Sequence, residues 1–275
     1  MIGRLAQLVE QSLYTRKVRG PSPLPPTFMK MEILYEDKNL LAVNKPSGLV
    51  IHTDGRTKEP ALTDWLKEKY PETEKVGEPL KIGTGETIKR WGIVHRIDRE
   101  TSGVVLIAKN QKTYDFLKKQ FLKREIEKAY HAIVYGDVRY DEGIINLPIG
   151  RNKSDFRKRA TGKAVRGETK EAITHYKTLA RKQKISFVEA NPQTGRTHQL
   201  RVHFADQRHG IIGDKLYGVA KKSPVSIGRL ALHAYAIEFE LPPPTLEGIR
   251  AGEGKMIKII APYPPDFQQA VDFFK

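Results

Sequence analysis

Apolar positions recur along the chain with two periods, and the period changes from segment to segment. Residues 32–37 (EILYED) and 39–45 (NLLAVNK) are short apolar runs joined by Asp37, Lys38 and Asn39, which predicts a β-hairpin. Residues 61–70 (ALTDWLKEKY) place Leu62, Trp65 and Leu66 at helical spacing. Residues 103–109 (GVVLIAK) and 128–136 (KAYHAIVYG) predict strands. Between them, Tyr114, Leu117 and Phe121 form one stripe of a helix whose other side carries lysines. Further strands are predicted at 172–180, 184–191, 229–241 and 255–262, and a closing helix at 265–274. Strands come in runs rather than alternating strictly with helices. The predicted class is therefore α+β, a mainly antiparallel mixed sheet with flanking helices.

Three stretches break the pattern. Residues 71–91 are polar and glycine-containing, a loop or insertion. Residues 151–170 hold eight Lys and Arg in twenty positions with almost no apolar content, an exposed basic loop or hairpin tip. Residues 1–28 carry a short helical pattern (Leu5, Leu8, Val9) and then Pro21, Pro23, Pro25 and Pro26, which predicts a flexible Pro-rich extension. A second reading stays open for that segment. LAQLVEQ can be encoded by a run resembling the D-arm of bacterial transfer-RNA genes, which would make Met29 or Met31 the true start. The expected organisation is an extension over 1–28 and one domain over 29–275.

Charge narrows the partners. Lys and Arg number 48 against 32 Asp and Glu, a formal charge of +16, with a pI near 9.8. Each phosphate neutralised by such a surface releases counterions, so nucleic acid is the first expected partner and an anionic membrane surface the second. The chain has no cysteine, which excludes disulfides, thiolate catalysis and Cys-based zinc sites. No apolar run approaches the roughly 18 residues needed to span a bilayer, and the N-terminus lacks a signal-peptide pattern. A cytoplasmic monomer with no membrane association is expected.

Polar groups concentrate at three places beside apolar elements: HRIDRETSG at 95–103, QTGRTHQLRVHF at 193–204, and the strand bearing Tyr130. Metal binding is tested first. His198 and His203 are five apart and diverge by about 140° on a helix, so the i, i+4 pair of a helical zinc site is missing. Structural hydrogen bonding is the preferred reading of His95, His198 and His203. Asp98 and Glu100 have no further acid nearby to suit two-carboxylate glycoside chemistry. GTGET at 83–87 lacks the Lys-Ser/Thr of a phosphate-binding loop. Thr197 is the expected N-cap of a helix that carries Arg201. A lone Asp98 flanked by arginines remains. It is either a carboxylate kept anionic for nucleophilic or base chemistry, or the cap of a turn that ends at Gly103. Residue chemistry alone leaves both open.

The motifs taken together are more specific. HRIDRETSG followed by VVLIAKN resembles the catalytic motif of the RluA-type pseudouridine synthases. ILYEDKNLLAVNKPSGLVIH resembles their opening hairpin, and EKAYHAIVYG their tyrosine-bearing strand. PQTGRTHQLRVHFADQRHGIIGDKLYG resembles their second signature, with LALHAY after it. Order and spacing match over residues 31–265. The resemblance implies the pseudouridine synthase catalytic fold and cofactor-free, metal-free isomerisation of uridine in structured RNA, ribosomal rather than transfer RNA. It implies that Asp98 acts at the ribose, that Tyr130 stacks on the uracil, and that Arg201 pairs with Asp98. Arg96, His95, Thr101 and Arg196 would contact substrate or brace the site, and Leu232 or Val104 would supply an apolar wall. Many such enzymes carry a small N-terminal RNA-binding domain; residues 1–30 are too short and too Pro-rich to be one, so none is expected, and residues 75–92 exceed the usual linker. A transfer-RNA enzyme, a catalytically silent RNA-binding protein and a histidine-based metal hydrolase are the alternatives.

Overall fold

The structure, a computed structural model, describes residues 31–52, 59–81, 85, 87–218, 222–241 and 255–275. The extension expected over residues 1–28, with its Pro-rich arm, lies outside the described residues, as does most of GTGET.

Two hairpin strands open the fold, β1 (Glu32–Glu36) and β2 (Leu40–Lys45), paired antiparallel. Asp37 Oδ1 fixes their turn by accepting the N–H groups of Asn39 and Leu40, both at 2.7 Å. Helix α1 (Leu62–Lys69) follows, its start sealed by the Asp64 carboxylate accepting the Ala61 N–H. Residues 71–91 are not a plain loop. They contain a short 3₁₀ turn at Pro71–Lys75 and the two-residue strands β3 (Leu80–Lys81) and β4 (Thr87–Ile88), which pair.

An inner strand of the main sheet is β5 (Ser102–Ala108), an apolar run buried at every position. Helix α2 (Gln111–Lys123) follows it. Asn110 caps α2 by accepting the Thr113 N–H, and the predicted stripe holds, with Tyr114 and Leu117 buried. Then come β6 (Glu127–Tyr135), β7 (Glu142–Asn146), β8 (Ile149–Asn152), β9 (Arg159–Thr161), β10 (Val165–Lys170), β11 (Ile173–Lys182) and β12 (Ile185–Pro192). Helix α3 (Gln199–Asp206), β13 (Leu232–Glu240), β14 (Met256–Ile260) and α4 (Pro265–Asp272) complete the chain. β7 has only Ile144 and Ile145 as apolar residues, so its pattern does not announce a strand; it is held by pairing along β11.

The main sheet runs β1-β2-β5-β13-β6-β12-β11-β7, with β14 also on β13. Among the described residues its neighbours are antiparallel except β5 and β13. The expected α+β, mainly antiparallel architecture is the one observed. The parallel contact requires glycine. Gly103 sits at φ +119°, and a Cβ there would lie 2.2 Å from the Ala234 carbonyl oxygen. The basic stretch 151–170 is ordered as part of a separate three-stranded sheet, β10-β8-β9. The core runs along β6, β12 and β13 and beneath α3 and α4, with Phe204 and Phe267 essentially buried. No helix of the described residues is long and apolar enough to cross a membrane.

Candidate active site

β5 and β13 run the same way, so their first residues share one end of the sheet. Asp98 lies four residues before β5, and Leu232 opens β13. β6 enters beside β13 and sets Tyr130 opposite Ala234 on one side and Ala190 of β12 on the other. The flanking alanines leave room beside the tyrosine ring. The cavity at this end has a volume of about 550 Å³, within the range of small-molecule sites. Asp98, Tyr130, Arg201, Arg96, His95, Thr101, Arg196 and Leu232 all line it. Val104 does not; it is buried within β5.

The segment carrying Asp98 is clamped from both sides. His95 Nε2 accepts the Leu106 N–H at 3.0 Å, and its ring stacks on Phe121 of α2 at 5.0 Å. Burial, then the charge of Lys128, pushes the His95 pKa down to about 3, so the ring is neutral. Ile97 points inward while Arg96 and Arg99 are exposed. Arg99 braces the turn, donating to the Gly48 carbonyl and pairing with Glu59. From below, fully buried Lys45 donates to the carbonyls of Pro46, Leu49 and Arg99 at 2.8, 2.8 and 3.1 Å. Burial pulls its pKa down to about 7 against the pull of the Asp98 and Glu100 charges. Sequence reasoning missed Lys45. The available signal was a lysine ending a mostly apolar strand, directly before Pro46.

Arg201 is 2% exposed and comes from α3. Its Nε and Nη2 donate to both oxygens of Asp214 at 2.8 and 2.7 Å. Its remaining nitrogen, Nη1, lies 3.7 Å from Asp98 Oδ2 and 3.8 Å from Glu100 Oε2 and has no hydrogen-bond partner. Arg201 and Asp98 are thus brought together as a loose ion pair, while the tight bonds go to Asp214, which sequence reasoning did not single out. The Tyr217 ring packs under the guanidinium at 5.2 Å. Burial alone would push the Asp214 carboxyl up. Its bonds to Arg201, that residue's charge and the N–H groups of Tyr217 and Leu216 more than reverse this, so its pKa is below the usual range. The N-cap of α3 is His198, in a left-handed conformation at φ 58°, not Thr197. No side chain caps this helix start; the Gln199 side chain instead braces the turn before it, accepting from the Arg196 N–H and the Thr194 hydroxyl. Arg196 also donates to the Glu171 carbonyl. His203 faces away from the cavity, bonded to Thr174 and the Leu147 carbonyl, in line with the structural reading.

The Asp98 side chain is 17% exposed. Among the described residues its carboxylate has no hydrogen-bond donor, so both oxygens are available to a ligand. The Thr101 hydroxyl is buried against the cavity and also unpartnered. Burial, then the Asp98 charge, pushes the Tyr130 phenol well above its usual range, so it remains a neutral donor at physiological pH. Lys128, two residues earlier on β6, faces the same cavity, and burial lowers its pKa to about 8. Of the lining residues, Arg90, Arg96, Arg124, Lys128, Arg196 and Arg201 are basic and Asp98 alone is acidic. The site therefore suits an anionic substrate presenting an electrophilic or acidic centre to one carboxylate.

Similarity of sequence and of fold points to one family. A family model described as RNA pseudouridylate synthase matches residues 39–206. An RNA pseudouridine synthase of Mycobacterium bovis, itself called uncharacterized, is 34% identical over 99% of this chain and 83% of its own length. The ribosomal large subunit pseudouridine synthase D of Neisseria meningitidis is 35% identical over 88% of this chain and 60% of its own. Among solved structures, human RNA pseudouridylate synthase domain containing 1 superposes with a TM-score of 0.67 at 25% identity, covering 88% of each chain. The chain belongs to the RNA pseudouridylate synthase family, whose members are isomerases. The family-model match ends before Asp214 and Leu232; Leu232 lines the cavity, and Asp214 holds Arg201 without lining it.

Proposed function

We propose that this enzyme converts uridines of ribosomal RNA to pseudouridine, with Asp98 as the catalytic carboxylate. The observation that carries the reading is a single acid, free of hydrogen-bond donors among the described residues, in a cavity otherwise ringed by cations. The cations hold the phosphates of the nucleotide and its neighbours. Extruding the target uridine costs a few kcal/mol. Stacking on Tyr130, worth about 1–3 kcal/mol, offsets much of that. Asp98 then acts at the ribose. The N1–C1′ bond breaks with its electron pair passing to the uracil, the ring turns, C5 bonds to C1′ as Asp98 is released from C1′ or returns the ribose proton, and the proton lost from C5 is matched by one taken up at N1. Asp98 serves either by adding to C1′ or by taking a ribose proton. Arg201 Nη1 balances its charge, and Leu232 and the buried strand ends exclude the water that would hydrolyse the opened bond. The ribosomal assignment is supported by the similarity to the Neisseria meningitidis enzyme.

Pseudouridine mapping of total RNA from cells with and without this gene tests the reading. Loss of pseudouridine at one or more large-subunit ribosomal positions is expected. Loss confined to transfer RNA would overturn the ribosomal part, and an unchanged map would overturn the whole.

A further inference from the structure

Phe156 is 88% exposed, more than any other large apolar residue described as exposed. It sits at the tip of the small sheet β10-β8-β9, and the tip is held in shape rather than loose. Asn152 Oδ1 accepts the N–H groups of Ser154 and Asp155 at 2.8 and 2.9 Å. Asp155 in turn accepts the backbone N–H of Arg157 and two bonds from its guanidinium. The Lys158 N–H closes the turn on the Asp155 carbonyl. An aromatic ring is thus displayed to solvent on a braced turn, although its exposure gains nothing for the fold.

The surroundings of the ring specify what it meets. Arg151, Lys153, Arg157, Lys158, Arg159, Lys163, Arg166 and Lys170 lie on the same sheet and its turns. Among the described residues only Arg157 has an ion-pair partner, Asp155. The other end of the sheet is anchored beside the active site. Ile149 packs with Val202 of α3, one residue from Arg201. The Arg159 N–H donates to the Tyr217 hydroxyl at 2.7 Å, and Thr161 is hydrogen-bonded to Asp206 at the end of α3. The ring therefore stands at a fixed place relative to the cavity.

We propose that Phe156 is a stacking platform for a nucleobase of the substrate RNA outside the catalytic cavity, with the unpaired cations of the sheet holding the flanking phosphates. A polyanion that also presents flat aromatic faces satisfies both features, and RNA is such a partner. The platform selects RNA shape at a distance from the target uridine. This rests on the RNA-modifying function proposed above.

The test uses the full chain and unmodified, transcribed ribosomal RNA, with heparin as a polyanion that has no bases. Phe156→Ala is expected to weaken RNA binding by about five-fold or more while leaving heparin binding unchanged. Phe156→Trp restores RNA affinity, and its added emission, measured against the background of Trp65 and Trp91, is quenched by RNA. Phe156→Leu does not restore it. RNA affinity of Phe156→Ala within about two-fold of wild type overturns the proposal. So does full rescue by leucine, or added emission in Phe156→Trp that answers phosphatidylglycerol vesicles and not RNA. Pseudouridine formation is scored separately. An inactive wild type with this binding pattern sinks the function and keeps the platform; an active wild type without it sinks the platform alone.

Discussion

At the scale of single residues, Arg201 organises the site. One guanidinium spends two nitrogens on Asp214 and turns the third toward Asp98 and Glu100. A buried ion pair contributes little net stability, but removing one partner strands the other. Asp214→Asn is therefore expected to destabilise the protein by about 3–5 kcal/mol. Loosening Arg201 beside Asp98 should also lower kcat by at least about ten-fold at temperatures where the variant is folded. Urea unfolding and single-turnover kinetics read the two effects. Lost stability with unchanged kcat would make Asp214 a purely structural partner. The sequence pointed to Arg201 through its motif, yet not to Asp214. The two lie 13 residues apart, and only the chain's reversal after α3 brings them face to face. Lys45 was hidden differently, because a fully buried lysine bonded to three carbonyls has no spacing signature.

At the scale of elements, the segment before β5 is held by what it packs on. His95 ties it to β5 and α2 only while neutral. Burial, chiefly, pulls the pKa of His95 to about 3 and those of His52 and His233 to about 4, against an ordinary value of 6.5. The unfolded chain takes up these protons near pH 6.5 and the folded chain does not. Stability from this source is complete above pH 6.5 and is lost as the pH falls toward the folded values. Tm should therefore drop between pH 6.5 and 4.5, above the range where most carboxylates titrate, and His95→Gln should flatten the slope. A Tm constant across that window contradicts the burial argument. Most strands and helices were legible because their apolar periods were unambiguous. β7 was not, since two isoleucines carry no period. Helix α3 starts one residue later than expected, after His198 in a left-handed conformation, and no side chain caps it.

At the scale of the whole molecule, the +16 charge and the ordered motifs made both the family and an anionic substrate legible in the amino-acid sequence. They did not show how the site assembles. Asp98, Tyr130, Arg201 and Leu232 are spread over more than a hundred residues and meet because β5, β13 and β6 are adjacent. That adjacency depends on a strand crossover which local patterns do not encode. The same topology stands the basic sheet of residues 149–170 on α3, beside the cavity. The central claim is that one carboxylate performs the isomerisation. Purified wild type and Asp98→Asn, an isosteric change, should be compared on the same unmodified ribosomal RNA, with pseudouridine mapped and RNA affinity measured in parallel. The account predicts no pseudouridine from Asp98→Asn, with affinity within a few-fold of wild type. Pseudouridine formed by that variant at the wild-type rate would contradict it.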